Sequence, residues 1–581
     1  MRLRRIYAGV AAAAALGLAL TACAPADTGD GGDGDGGTAS QSISATVGPV
    51  DFTSYNGFAS ASYNTYNSAI VDLLKVGFVY YGPDGSIVPN EDLGSFELVS
   101  EDPMVVEFTI SDDAVWSDGT PITVADAILA WGIQNPNLST EVDEDGNPVP
   151  LFDSVSQDLG NTVPAGPQGD PSGKTFTMEF AAPDPDWQIQ TYLLDPAHVV
   201  AEQAGMTVEE LTEAILSGDS EALAPAAEFW NNGWTTEPGT LPDTALIPSS
   251  GPYILDSWSA TQSVTLKANP EYYGEQLAPQ NDELVFRFID QASMPQALQN
   301  GDVDVIAPQP TVDTINQLEE MGDAVSVYTG PTLTWEHLDL NQREGAIFSN
   351  AELRKAFAMC VPRQLIVDNL IKPLDPEAEV MNSREVFPFQ ENYDEVVAAS
   401  YDGRYDEVDI EGAKAIVEAE GATGTEVTIK YTAGNQRRAD EVAMIKSSCD
   451  EAGFNIVDGA TEDFSADAAA GNFDVALFAW AGSGQITSGQ NIYASGKPQN
   501  WVGYSNPEVD AAWDTLASSL DPEVHLEQTK IIEKHLWDDL YSIPLFAHPG
   551  VDAASSDIAN VEHTTTQSGV TWNAYAWNRA E

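Results

Sequence analysis

Residues 107–131 read EFTISDDAVWSDGTPITVADAILAW. The run begins inside MVVEFTI (Met104–Ile110), which alternates apolar and polar residues as a half-buried strand does. Asp118-Gly119 is a turn signal. Thr123 is placed as an N-cap with Asp126 three residues on, and Val124, Ala127, Ile128 and Trp131 follow at helical spacing. Strand, turn and capped helix thus succeed one another, and the pattern continues along the chain. KTFTMEF (Lys174–Phe180) reads as a strand. SVTLKANPEYYG, ELVFRFID and QALQNGDVDVI read as strand, strand and helix-strand units. VTIKY (Val427–Tyr431), a helix over Arg437–Ala452 and FNIV (Phe454–Val457) form a β-α-β element, and FDVALFAW (Phe473–Trp480) adds another strand. No internal repeat appears, and the mixture predicts α/β lobes with mixed sheets.

At 581 residues the chain exceeds what one hydrophobic core supports, so two or three lobes are expected. A hydrophobic fraction of 43% with 13 tryptophans marks a globular protein. The net charge of −68 repels nucleic acid and anionic lipid headgroups, so neither is expected as a partner. The charge reads either as a solvated acidic surface or as an attraction for a cationic ligand.

Local motifs for catalysis are missing. GDPSGKT (Gly169–Thr175) has three residues where a P-loop needs four, and Asp170 and Pro171 oppose a phosphate cradle. Ala481-Gly-Ser-Gly-Gln485 lacks the outer glycines of a nucleophile elbow. No H-E-x-x-H occurs, and His525 and His535 fall on nearly opposite faces of one helix, so no metal site is expected.

At the N-terminus Arg2, Arg4 and Arg5 precede an uncharged run from Ile6 to Leu20, short for a span and suited to a signal peptide. Leu20-Thr-Ala-Cys23 resembles the lipobox of bacterial lipoproteins, which implies lipidation of Cys23 and removal of residues 1–22. Two acyl chains hold a protein stably at a membrane. Residues 23–40, rich in Gly and Asp, read as a self-repelling tether. Cys360 and Cys449 read either as inert buried thiols or as a disulfide; export, with Cys23 taken by lipid, favours the disulfide.

The opening stretch is similar to the signature of the family 5 extracellular solute-binding proteins, the oligopeptide- and dipeptide-binding components of ABC importers. SSGPYILDSW (249–258), LKANPEYYG (266–274), ALQNGDVDVI (297–306), LDLN (338–341), LRKAFAM (353–359), FDVALFAW (473–480) and SIPLFAHPG follow in that family's order. The resemblance implies an α/β, periplasmic-binding-protein-like fold of type II, in the three-domain peptide-binding class. Two major lobes would close on a cleft by hinge motion. It places domain I at 41–85, 246–345 and 549–581, domain II at 86–245 and domain III at 346–548. It implies a monomeric non-enzyme without cofactor, lipid-anchored on the extracellular face of the cell membrane (the periplasmic side in a Gram-negative cell). The expected partners are a peptide or other small solute and an ABC permease.

In peptide-binding relatives an aspartate lies shortly after the tryptophan ending the FDV strand. Here Trp480 is followed by Ala-Gly-Ser483, with no carboxylate before Glu508. A buried ammonium without a carboxylate is costly, so either another acid serves or the ligand lacks a free amine. Trp480 and Ser483 are therefore candidate ligand contacts, with Tyr63, Asn64, Trp335, His337 and Trp501. For Tyr63 and Asn64 the alternative is an exposed polar loop, and for Trp335 a packed core position. Arg384 and Arg437-Arg438 could meet a carboxylate. An oligosaccharide or other non-peptide solute remains open, as does a tethered cell-wall hydrolase.

Overall fold

The computed structural model describes residues 41–139, 149–190, 194–482 and 484–580. The signal peptide, Cys23, the tether and Ser483 lie outside these residues.

The opening stretch folds as a strand, turn and helix. In the strand Met104–Ile110 the side chains of 104, 106, 108 and 110 are buried, while Glu107 and Thr109 are exposed. It pairs antiparallel with Gly94–Glu101 and Thr175–Glu179 in a four-stranded sheet, where Phe108 stacks on Phe176 at 4.9 Å. The helix Val124–Ile133 carries the capping box of Thr123 and Asp126, but it is buried on every side rather than amphipathic. Its small residues allow this: a side chain at Gly132 would press on Ile215. Asp126 accepts from the N–H groups of Thr123 (2.8 Å) and Ala197 (2.9 Å), and burial pushes its carboxyl up to about 6. Lys174 of the P-loop look-alike donates to the carbonyls of Ser111, Ala114 and Ile122, fastening the strand to the turn.

A ten-stranded mixed sheet runs through both lobes. At one end the β-α-β unit is present, with Glu426–Thr432 and Asn455–Thr461 parallel and the helix Gln436–Glu451 between them. Val475–Ala481 lies next, followed by two long strands, Val325–Leu340 and Ser542–Ser555. Residues 334–340 of the first long strand pair with 475–481, whereas residues 553–554 of the second pair with Val305–Ile306. The long strands therefore carry the chain from one lobe to the other and back. The sheet ends with Ser42–Gly48, Glu283–Phe288, Ser263–Ala268 and Tyr253–Ser259.

The crossing is irregular. Register shifts fall between Pro331 and Trp335 and between Glu336 and His337, where extra residues bend paired strands. Gly330 faces Gly550 there, and the ring of His563 lies over both, filling the space side chains would take. His563 Nδ1 is 2.6 Å from Asp552 Oδ2 and Nε2 is 3.1 Å from the Pro331 carbonyl. On the second lobe, Cys360 ending the helix Ala351–Cys360 is disulfide-bonded to Cys449, with Cα atoms 5.1 Å apart. Among the described residues, no helix is long and apolar enough to cross a membrane.

Candidate functional site

A cleft of about 1410 Å³ opens between two walls. One wall includes residues from 156–162 and 181–190, and the other residues from 384–392, 480–482, 484–493 and 517–529. A recess of about 330 Å³ adjoins it, reached past Ser156, Gln190, Gly482 and Gln485, which line both. Tyr63, Asp72, Tyr81 and Gln134 line this recess from one side and Gly482, Gln485 and Gln567 from the other.

The walls touch. Asp186 Oδ1 accepts from the Ile486 N–H (2.7 Å), and Oδ2 accepts from the N–H (3.0 Å) and hydroxyl (2.6 Å) of Thr487. Gln567 also donates to the Ala481 carbonyl at 3.1 Å. Charge-assisted bonds of this kind are short and strong, and these are made only when the lobes are together. The conformation is thus a closed one.

Four of the residues singled out from the sequence meet in one aromatic stack. Trp335 and Trp480 are directly opposed across paired strands, and both line the cleft. The His337 ring is 4.3 Å from Trp335 and 6.3 Å from Trp480, and Trp501 lies 5.1 Å from Trp480. Alternation along the strand explains this, since 335, 337 and 339 project to one side. His337 is wholly buried behind the tryptophans, away from the cleft surface, and burial pushes its pKa down to about 3. Trp501 backs Trp480 rather than lining the cleft. Tyr63 is exposed at the recess, separate from the stack. Asn64 caps the helix Thr65–Val71, accepting from the Asn67 N–H, so its side chain serves the fold.

The arginines meet carboxylates of the chain itself. Arg384 pairs with buried Glu533 at 2.9 Å, and Arg437 and Arg438 bind Glu336 at 2.8 and 2.5 Å. Together the two cavities are bordered by the carboxylates of Asp72, Asp158, Asp184, Asp186, Asp195, Glu385 and Glu391. Against these stand, among the described lining residues, only Lys497 and the already paired Arg384 as lysine or arginine. No group of three or more His, Cys, Asp or Glu side chains is placed to hold a metal among the described residues. Asp186 and Glu385 carried no signal in the sequence, because each acquires its setting from segments far along the chain.

A model of the bacterial extracellular solute-binding proteins, family 5 (middle), matches residues 93–501. An uncharacterized lipoprotein of Mycobacterium tuberculosis is 27% identical over 514 residues, 86% of each chain. The oligopeptide-binding protein OppA of the same species is 26% identical over 491 residues, covering 82% of this chain and 75% of that protein. Among solved structures, the periplasmic EDTA-binding protein EppA is similar with a TM-score of 0.80 at 25% identity, covering 94% of this chain and 98% of that one. The two-lobed, periplasmic-binding-protein-like architecture agrees with this, and the chain belongs to the bacterial extracellular solute-binding proteins of family 5.

Proposed function

We propose that this solute-binding component of an ABC importer captures oligopeptides between its lobes and delivers them to its permease, without catalysing a reaction. The observation that carries this reading is the cleft's polarity. Its amides, hydroxyls and carboxylates suit a neutral or cationic chain with hydrogen-bonding main-chain groups. EDTA, the ligand in the name of EppA, is an anion and would find Lys497 and the already paired Arg384 as the lysine and arginine among the described lining residues. OppA, by its name, binds oligopeptides. A second reading, an oligosaccharide or other non-peptide solute, is favoured by the half-buried Trp480 at the cleft, with Trp335 buried beside it, since flat indoles suit sugar rings.

Capture follows from differential affinity: a ligand touching both walls stabilises the closed state in which Asp186 docks on residues 486–487. Thermal-shift screening against short peptides, sugars and metal–EDTA separates the readings, because a ligand raises stability by RT ln(1 + [L]/Kd). Stabilisation by sugars or chelates alone would sink the peptide reading, and turnover of a hit would sink the binding-protein one. We also propose that Cys23 is lipidated and holds the chain at the outer face of the cell membrane. The lipobox-like Leu20-Thr-Ala-Cys23 and the lipoprotein relative support this. Cys23→Ala should release the protein from the membrane fraction; retention would end the proposal.

A further inference from the structure

We propose that Glu385 is the acid that receives a ligand's ammonium group in this cleft, in place of the carboxylate missing after Trp480. This deepens the peptide reading and rests on it for the ligand's identity.

Glu385 lines the cleft wall formed by residues 384–392, partly buried. Its carboxyl lies against the α-carbon of Gly489, in the space a side chain there would fill. Among the described residues that carboxyl has no hydrogen-bond or ion-pair partner. The neighbouring groups explain why. The Glu385 backbone N–H donates to Glu533 Oε1 at 2.9 Å. Glu533 also receives the Ser383 hydroxyl, the Arg384 N–H and the Arg384 guanidinium. The Arg384 guanidinium is therefore held by Glu533, and Glu385 sits beside that second carboxylate with Arg384 offsetting it only in part.

Burial first, and then repulsion from Glu533, push the Glu385 carboxyl up to about 8, with Arg384 opposing. Tyr493, also packed there, feels the same charge. A partly buried acid without a partner is unfavourable for the empty protein, and such groups concentrate where a ligand completes them. Three other acids that line the two cavities do have partners among the described residues. Asp184 accepts from Gln190, Asp186 from Thr487, and Asp195 from Lys75 and Trp230. An ammonium offers three donors and a full positive charge, which would ionise Glu385 and supply its missing partner. The amine could belong to a peptide N-terminus or to a lysine-like or polyamine chain.

The test uses the full chain, with thermal shift and calorimetry. The probes are butylammonium chloride against sodium chloride, spermidine, tetra-alanine and N-acetyl-tetra-alanine. Butylammonium should stabilise the wild type, and free tetra-alanine should bind about tenfold or more tightly than the acetylated form. In Glu385→Gln the butylammonium response should vanish and the two peptides should bind alike, while Glu385→Asp restores part of the preference. If Glu385→Gln fails to fold, the free and acetylated peptides on the wild type still decide: equal affinity overturns the proposal. An unchanged amine preference in Glu385→Gln, or no wild-type response to any amine, also overturns it. Glu385-dependent binding of butylammonium and spermidine without tetra-alanine would support the subsite and end the peptide reading. Peptide binding indifferent to acetylation would keep that reading and end this one.

Discussion

Asp339 lies inside the second lobe with neither carboxyl oxygen hydrogen-bonded, and His337 Nε2 is 3.4 Å from its Oδ1. Burial pushes its carboxyl well above the usual carboxylate range, so the folded protein favours the protonated acid. The sign of the linkage follows. The unfolded chain ionises above the ordinary carboxylate pKa of about 3.9, and stability falls as pH rises from there toward the raised folded value, by about 1.4 kcal/mol per pH unit. Asp339→Asn keeps the shape, removes the ionisation and offers an N–H to the imidazole. Its melting temperature should exceed the wild type's at pH 7, with the gap closing toward pH 4. Equal melting at both pH values would show that Asp339 is not held neutral.

The crossing strands Val325–Leu340 and Ser542–Ser555 owe their close approach to Gly330, Gly550 and the His563 ring over them. Asp552 at 2.6 Å raises the His563 pKa, against its partial burial, and the Pro331 carbonyl accepts from the other nitrogen. The Pro331 carbonyl, the two glycines and Asp552, whose carboxyl burial pushes up against the pull of His563, meet the ring. A raised folded pKa gives stabilisation that is complete below about 6.5, the ordinary histidine value, and lost as pH rises through the folded one. His563→Asn should therefore lower the melting temperature more at pH 5.5 than at pH 9. A pH-independent loss would mean that the ring acts as a spacer alone. A second element-level device, the Cys360–Cys449 disulfide, joins two helices through cysteines 89 residues apart in sequence. Cys449→Ser should destabilise by about 4–5 kcal/mol in the chain-entropy model, read by denaturant unfolding. The elements themselves were legible where periodicity is local: the β-α-β unit around Gln436–Glu451 and the strand Met104–Ile110 follow from spacing alone. The full burial of Val124–Ile133 was not, because its covering neighbours come from distant segments, as Ala197 at Asp126 and Ile215 at Gly132 show.

At the scale of the whole molecule, closure depends on a side chain from one wall meeting a loop of the other, with 300 residues between Asp186 and Ile486. No sequence window holds both partners, which is why Trp480 could be singled out through the family resemblance while the contacts across the cleft could not. Hydrogen bonds to charged groups are worth about 1.5–3 kcal/mol each, and water replaces part of that on opening. Asp186→Ala should weaken apparent ligand affinity by about tenfold to a hundredfold. The ligand-free variant should also show a larger radius of gyration by small-angle scattering. Unchanged affinity and radius would mean that the contact accompanies closure without favouring it.

The stack of Trp335, Trp480 and Trp501 also has an optical consequence. Trp480 and Trp501 lie 5.1 Å apart with Trp335 paired across the strands, so excitation passes readily among them, and Trp480 borders the space a solute would occupy. Imidazolium quenches indole emission, but His337 beside them stays neutral until strongly acid pH. The cleft floor thus carries an unlabelled probe at neutral pH: solute against Trp480 should shift its share of the emission of the 13 tryptophans, and Trp480→Phe should abolish that shift.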